Sequence, residues 1–159
     1  MRTRDDLGGN LTPSYTGKSL TAGELRPRPA STRALVLVLG WLVPGAGHLL
    51  LGKMGRGLLL MVLIVGSFFF GLVLHGKLYS PTVADPPSAL HYDLISILWS
   101  FAQLGGGLCY GVAHVLGLGV KAMPQSPTYE YGNTFMFLAG LLNYLVVLDA
   151  FDIAAGRRP

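Results

Sequence analysis

The sequence predicts an all-α integral membrane protein, a helical bundle with about four transmembrane helices after a disordered N-terminal tail. Only 13% of the 159 residues are charged and 51% are apolar. A soluble domain carries roughly 25% charged residues, because its surface must be wetted. The apolar residues are also gathered into long uncharged runs that short polar stretches separate. Runs of this length are typical of helices that cross a bilayer.

The tail and the four runs can be placed from composition alone. Residues 1–33 are rich in Gly, Pro, Ser and Thr and contain few large apolar side chains. Such a segment cannot bury enough surface to offset the entropy of ordering, so we expect a disordered basic tail. A transmembrane helical domain then covers residues 34–156. Its expected spans are residues 34–51, 57–74, 94–120 and 134–153.

The basic residues beside the runs predict the orientation. With four spans and cytoplasmic termini, the inside collects Lys18, Arg26, Arg28, Arg33, Lys77, Arg157 and Arg158, and the outside collects Lys53, Arg56 and Lys121. Cytoplasmic loops carry an excess of Lys and Arg. The count therefore favours both termini in the cytoplasm.

The densest local motif joins the first two runs. It consists of Pro44, Gly45, Gly47, His48, Gly52, Lys53 and Arg56. Proline removes a hydrogen bond from a helix and clashes with the carbonyl four residues earlier. The Gly-Ala-Gly that follows allows another helix or a turn to approach closely. We expect the first helix to bend here and a compact basic turn to return the chain.

This motif resembles a known domain. Pro-Gly-x-Gly-His, then Leu-x-Gly-Lys and a Gly-Arg-Gly that opens a second apolar run, is similar to the TM-two type hairpin domain over residues 34–74. Residues 134–156 resemble, more loosely, the end of uncharacterised bacterial membrane proteins that carry such a hairpin. The hairpin domain usually has an aromatic near Leu50 or Leu51, where this chain has leucines. The resemblance implies a bacterial membrane protein of unknown biochemical role and carries over no catalytic residue. We expect the chain to be a multi-pass protein of the inner (plasma) membrane.

The third run contains a pattern of small residues. Gly105, Cys109, Ala113 and Gly117 recur every four residues, and Gly111 forms a GxxxG pair with Gly107. On one helix this spacing stacks small side chains into a groove where a second backbone can lie close. We interpret the pattern as a helix-packing face, although glycine is common in membrane helices in any case. The glycine triplet at residues 105–107 is also able to break or bend the run.

Polar residues inside apolar runs are costly in lipid and are therefore candidates for function. His48 and His114 are two such residues, and a pair of histidines on facing helices can hold a haem iron. Their plain interpretation is a neutral histidine that bonds a carbonyl freed by Pro44 or by the glycine triplet. Cys109 is the only cysteine, which excludes an intramolecular disulfide and a cysteine-based zinc site.

The last run contributes a second polar cluster. Asp149 and Asp152 are three residues apart and share a helix face, with Asn143 about two turns earlier. Paired carboxylates are able to bind a cation or relay a proton. The plain alternative, which we favour, places both aspartates at the cytoplasmic interface, paired with Arg157 or Arg158 or with a Lys or Arg of a neighbouring turn.

The packing surface outweighs the groups that could do chemistry. We find no nucleophile paired with a base, no zinc-binding helix motif and no phosphate loop. We therefore predict a protein that is not an enzyme, needs no cofactor or metal, and acts through helix packing as an accessory or scaffold subunit or as a homo-oligomer. Its expected partners are the lipid bilayer and a membrane protein or a second copy, and not nucleic acid. One alternative is a small transporter or ion-conducting protein that uses Asn143, Asp149, Asp152 and His114. A less favoured one is a haem-bearing electron-transfer subunit that uses His48 and His114.

Overall fold

The computed structural model describes residues 27–79, 94–119 and 124–158, and every regular element in these ranges is a helix. The helices are α1 (Ala30–Leu42), α2 (Ala46–Leu50), α3 (Met54–Val73), α4 (Leu94–Leu104), α5 (Leu108–Val115) and α6 (Tyr129–Ala154). Most of the expected disordered tail, residues 1–26, lies outside the described residues. Its last four residues, 30–33, form the first turn of α1.

Helices α3 and α6 are the frame of the bundle. They have 20 and 26 residues and are the two described helices that are long and apolar enough to cross a membrane. They run antiparallel, because Gly71 near the end of α3 lies against Gly132 near the start of α6. A Cβ added to Gly71 would lie 2.7 Å from the Gly132 carbonyl oxygen. The core between them includes Phe68 and Met136, both fully buried.

The first apolar run does not form one span. Helix α1 ends at Leu42, the chain reverses through residues 43–45, and α2 returns alongside α1. A Cβ added to Gly47 in α2 would lie 3.3 Å from Val36 and 2.9 Å from Ala150. Leu51 then packs beside the buried Val36, at the level where α6 ends. Thus α1 and α2 form a hairpin that is shorter than the long helices, since α1 has 13 residues and α3 and α6 have 20 and 26.

The third apolar run reverses in the same way. Helix α4 ends at Leu104, residues 105–107 form a turn, and α5 leads back. The peptide N–H of Leu78 donates a hydrogen bond to the Gly119 carbonyl, which returns the chain to the end where α3 finishes. An extended segment, residues 76–79, packs against this second hairpin.

The two halves of the chain have the same order of elements, a short hairpin followed by a long helix, and they are oriented in opposite directions. Hairpin α1–α2 precedes the long helix α3, and hairpin α4–α5 precedes the long helix α6. We call the end that holds the start of α1, the turn 51–53 and the end of α6 the terminal end. The distal end holds the end of α3, residues 76–79 and the start of α6. Hairpin α1–α2 extends into the bundle from the terminal end and hairpin α4–α5 from the distal end, so their tips meet inside the bundle.

The prediction of an all-α fold with about four transmembrane helices is confirmed in part: every regular element in the described residues is helical, but two of the four expected spans are single helices long and apolar enough to cross a membrane. The expected spans 57–74 and 134–153 correspond to α3 and α6, which are long and apolar enough to cross a membrane by length and composition. The expected spans 34–51 and 94–120 are hairpins that reverse. Each contains a proline or glycine break at its middle, and the helix on either side is therefore too short to cross.

Candidate functional site

The hairpin tips meet at Asn143, near the middle of α6. Its Nδ2 donates to the Trp41 carbonyl oxygen at 3.0 Å and to the Gly105 carbonyl oxygen at 2.8 Å. The Trp41 carbonyl lies in the last turn of α1 and the Gly105 carbonyl directly follows α4, where carbonyls have no intrahelical donor. Asn143 is fully buried. One amide therefore satisfies both broken helices and fixes their tips to each other.

Two further buried amides serve the extended segment 76–79. Gln103 donates through Nε2 to the Lys77 carbonyl oxygen at 2.9 Å and accepts from the Tyr79 peptide N–H at 2.9 Å. Asn133 accepts from the Lys77 peptide N–H at 2.7 Å. The Tyr110 hydroxyl donates to the Tyr79 carbonyl oxygen at 2.8 Å. The polar side chains in the apolar runs thus replace the helical hydrogen bonds that this segment lacks.

Glycine permits the close approach at the tips. Gly107 has a φ of +56°, and a Cβ there would collide with the carbonyls of Trp41 and Leu42. Gly140 on α6 leaves room for the Ala102 carbonyl oxygen in the same way. The sequence indicates Gly105 and Gly107 as packing positions but gives no sign that Gly140 faces them.

The hairpin motif and the acidic cluster of α6 meet near the terminal end. His48, fully buried in α2, lies with Nε2 3.0 Å from Asp149 Oδ2. The other oxygen of Asp149 accepts from Arg158 Nη1 at 3.3 Å. Asp152 pairs with Arg157 at 3.1 Å. The predicted site residues of two separate motifs therefore form one cluster, in which each aspartate has an arginine partner.

Pro44 and Gly45 lie at the first tip and are buried. Gly45 and Gly52 adopt left-handed backbone conformations, with φ of +80° and +79°. Lys53 precedes α3, and Arg56 is exposed in its first turn. The motif thus builds the reversal and the turn to α3, and its histidine reaches α6.

His114 stands apart from the other candidates. It lies on α5 in the second hairpin, exposed to the outside, with its ring 6.1 Å from that of Tyr110. His48 lies in the first hairpin against Asp149. The structure therefore does not bring the two histidines together, as ligation of a haem iron by both would need. Among the described residues there is also no group of three or more His, Cys, Asp and Glu that could hold a metal ion.

The small residues of the third run do not share one continuous helix. Gly105 lies in the turn before α5, and Gly117 follows α5 with a φ of +65°. Ala113 is buried against the core, while a Cβ at Gly111 would meet nothing within 4 Å. The break at residues 105–107 divides the pattern, so Gly105 faces α6 and Gly111 faces outwards.

A groove of about 490 Å³ opens beside Gly111. Its lining is mostly apolar and includes Trp41, Leu42, Leu104, Leu108 and His114. The leucines around it are 37% to 48% exposed, and Val115 is 85% exposed. The groove therefore lies on an apolar outer surface, next to the place where the two hairpin tips meet.

The charged residues separate between the two ends of the bundle. Among the described residues, the terminal end carries Arg28, Arg33, Lys53, Arg56, Arg157 and Arg158, with the acids Asp149 and Asp152. The distal end carries Lys77 and Glu130. Four spans would have placed Lys53 and Arg56 opposite the termini and Lys77 beside them. Because the first hairpin reverses, the structure exchanges these positions; Lys121 lies outside the described residues.

Fold and site define the class of the protein: in its described residues, an all-helical fold with two long apolar helices and two shorter hairpins that are joined by buried amides. The comparisons assign the family. The model of a family of unknown function, DUF6677, matches residues 35–159, and the chain belongs to this family. No curated protein and no solved structure matches the chain.

Proposed function

We propose that this protein is a multi-pass protein of the bacterial inner membrane that acts by binding another membrane helix, as an accessory subunit or as a homo-oligomer. Helices α3 and α6 would cross the bilayer, and the hairpins would enter it from opposite sides. Non-helical backbone at membrane depth is tolerated only where protein or a water-filled cavity surrounds it. The amides of Gln103, Asn133 and Asn143 support this location, because they satisfy the irregular backbone from within the bundle.

The outer surface also supports a membrane location. Large apolar side chains on α3 are exposed along its whole length, from Leu58 at 59% to Val73 at 72%. Contiguous apolar surface of this kind on a monomer is typical of contact with lipid or with a partner. We further propose cytoplasmic termini, since six of the seven described basic residues lie at the terminal end. The α1–α3 unit would be the TM-two type hairpin that the sequence resembles.

The groove at Gly111 carries the binding proposal. Glycine on a helix surface allows a second helix backbone to approach, and such positions are enriched at helix contacts within membranes. The protein's own described residues do not fill the space in front of Gly111. The occupant we propose is a transmembrane helix, contributed by a second copy or by a different subunit. The protein would act through this contact and not as an enzyme.

The substitution Gly111→Leu tests this proposal without disturbing the interior. Gly66 on α3 is the matched control, because a Cβ there also meets nothing within 4 Å. We expect wild-type and Gly66→Leu protein, extracted from native membrane in mild detergent, to run well above the 17.0 kDa of one chain. Gly111→Leu should run as a monomer, and mass spectrometry of the larger species will distinguish a homo-oligomer from a complex. An unchanged assembly mass for Gly111→Leu would contradict the proposal.

A second candidate, a small transporter or ion-conducting protein, is favoured by the repeated plan of the two halves. Inverted repeats with interrupted helices in corresponding positions are a feature of many transporters. Here, Asp149 and Asp152 would bind or relay the ion, with Asn143 and His114 as further polar groups. Asp149→Asn should then abolish cation- or pH-dependent flux into vesicles. Unchanged flux in that variant, or no flux in the wild type, would count against this candidate.

A further inference from the structure

We infer that the terminal end of the bundle is a binding surface for the head groups of anionic phospholipids. The inference rests on the proposed membrane location and names the lipid that this location would select. Its basis is the charge that the first hairpin gathers at one end. The described residues there comprise six basic and two acidic side chains, a net charge of +4 with histidine neutral. At the distal end the one described lysine and the one described glutamate give a net charge of zero.

The reversal of the first hairpin creates this surface. The Arg28 peptide N–H donates to the Ala154 carbonyl oxygen at 2.8 Å, which holds the start of α1 against the end of α6. Leu51 packs on the same cluster as Ala154, so the turn that carries Lys53 follows at the same level. Basic residues that are far apart in sequence thus surround one end of the bundle.

Several of these cations are free to bind an external anion. In the described part of the chain, Lys53, Arg56 and Arg28 make no ion pair, because the two nearby aspartates pair with His48, Arg157 and Arg158. A Cβ at Gly52 or Gly55, which flank Lys53, would meet nothing within 4 Å. The backbone around the lysine is therefore open to a phosphate group.

The position of the cations favours a lipid over a soluble polyanion. Arg56 is followed directly in α3 by a turn with exposed Leu58 and Leu59, 59% and 60% accessible, and is preceded by Met54 at 72%. Charged heads beside an apolar surface match the boundary between phosphate groups and acyl chains, where long basic side chains reach the interface. Each Lys or Arg near an anionic leaflet raises the affinity of the protein for that leaflet by about fivefold.

The test uses the full chain in mixed micelles that contain phosphatidylglycerol or phosphatidylcholine, with bound lipid counted by native mass spectrometry. The double substitution Lys53→Gln and Arg56→Gln removes two cations at exposed or half-buried positions. The matched control is Lys77→Gln at the distal end. We expect the double variant to lose the preference for phosphatidylglycerol by about 25-fold, since each residue contributes about fivefold. Lys77→Gln should keep the wild-type preference.

A second measurement needs no substitution. Raising the salt concentration from about 0.01 M to about 1 M shortens the Debye length from about 30 Å to about 3 Å. The preference of the wild type should fall steeply over this range. A preference that persists at high salt, or one that survives in the double variant, would overturn the inference. Equal binding of a short single-stranded DNA would also overturn it, since the surface would then attract any polyanion.

A flotation experiment distinguishes failure of the proposed membrane location from failure of the lipid inference. If the chain does not float with phosphatidylcholine vesicles after reconstitution, the membrane proposal is refuted together with the lipid inference. If the chain floats with these vesicles but binds both lipids equally, only the lipid inference is refuted.

Discussion

The substitution Asn143→Ala tests whether one amide holds the two hairpins together. It removes the Nδ2 group that donates to the Trp41 and Gly105 carbonyl oxygens at 3.0 and 2.8 Å. The bond to Gly105 is buried, the bond to Trp41 is partly buried, and Asn143 itself is fully buried. Water cannot easily replace the lost donor there. We therefore expect the two tips to separate from α6 while the long helices α3 and α6 remain paired.

The magnitude follows from the two hydrogen bonds. A buried acceptor left without a donor costs about 1 to 3 kcal/mol, although hydrogen bonds between membrane helices average about 0.6 kcal/mol. The Oδ1 of Asn143 has no partner in the native structure, so its removal offsets part of the loss. Together these terms predict a destabilisation of about 2 to 4 kcal/mol. For a chain of this size that corresponds to a fall in Tm of about 5 to 15 °C.

Thermal unfolding in detergent, followed by circular dichroism, measures the effect. Thr134→Ala is the control on the same helix: its hydroxyl donates to the Glu130 carbonyl oxygen but the residue is exposed, so its loss should cost less than about 0.5 kcal/mol. Asn143→Asp keeps the shape and puts an acceptor where the donor was, so it should destabilise at least as much as alanine. If Asn143→Ala unfolds within about 1 °C of wild type, the amide does not hold the tips and this account of the fold is refuted.

Three further outcomes follow from the same contacts. Gly71→Ala should destabilise the fold by about 1 to 3 kcal/mol in thermal unfolding, because its Cβ would lie 2.7 Å from the Gly132 carbonyl oxygen. The control Gly66→Ala should be neutral or slightly stabilising, since its Cβ meets nothing within 4 Å. Equal Tm values for the two variants would contradict the close contact at Gly71. Gln103→Leu should raise the hydrogen-exchange rate of the Tyr79 peptide N–H by about tenfold or more, since this N–H donates to Gln103 Oε1 at 2.9 Å. Unchanged protection of the Tyr79 amide would show that Gln103 does not hold this segment. Asp149→Asn should lower the free energy of unfolding by about 1 kcal/mol, because the carboxylate that pairs with His48 and Arg158 at a partly exposed site is lost. A variant more stable than wild type would show that the cluster is repulsive.

The composition of the chain was sufficient to predict a helical fold and its two long helices, but not the places where the chain reverses. The runs 57–74 and 134–153 coincide with α3 and α6 because uninterrupted apolar stretches of this length favour one continuous helix. The Pro-Gly and glycine-triplet breaks were also visible in the sequence. A break can bend a helix and let it continue, or it can reverse the chain. That choice depends on contacts with residues over a hundred positions away, such as Trp41 with Asn143, and no local pattern reveals them.

The candidate site was predictable only in parts. Asp149 with Arg158 and Asp152 with Arg157 lie within ten residues of each other, and the favoured interpretation of the sequence named both arginines among the expected partners. His48 joins the same cluster from α2, 101 residues earlier, which follows only from the reversal at Pro44. The four-residue repeat of the third run assumed one continuous helix. Since the break falls inside the repeat, Gly105 and Gly111 serve different surfaces, and this difference makes Gly111 the useful position for substitution.

The way the buried polar groups are used bears on the choice between packing and conduction. An ion path through a bundle needs polar side chains whose hydrogen-bonding groups are free to exchange partners with the ion. Here the three buried amides bond the backbone at the breaks: Asn143 serves both tips, and Gln103 and Asn133 serve residues 76–79. Among the described residues, Nδ1 of His48 in α2 and Oδ1 of Asn143 in α6 are buried without a hydrogen-bond partner. An interior whose polar groups hold the fold in place favours a protein that works through its outer surface, where the groove at Gly111 lies.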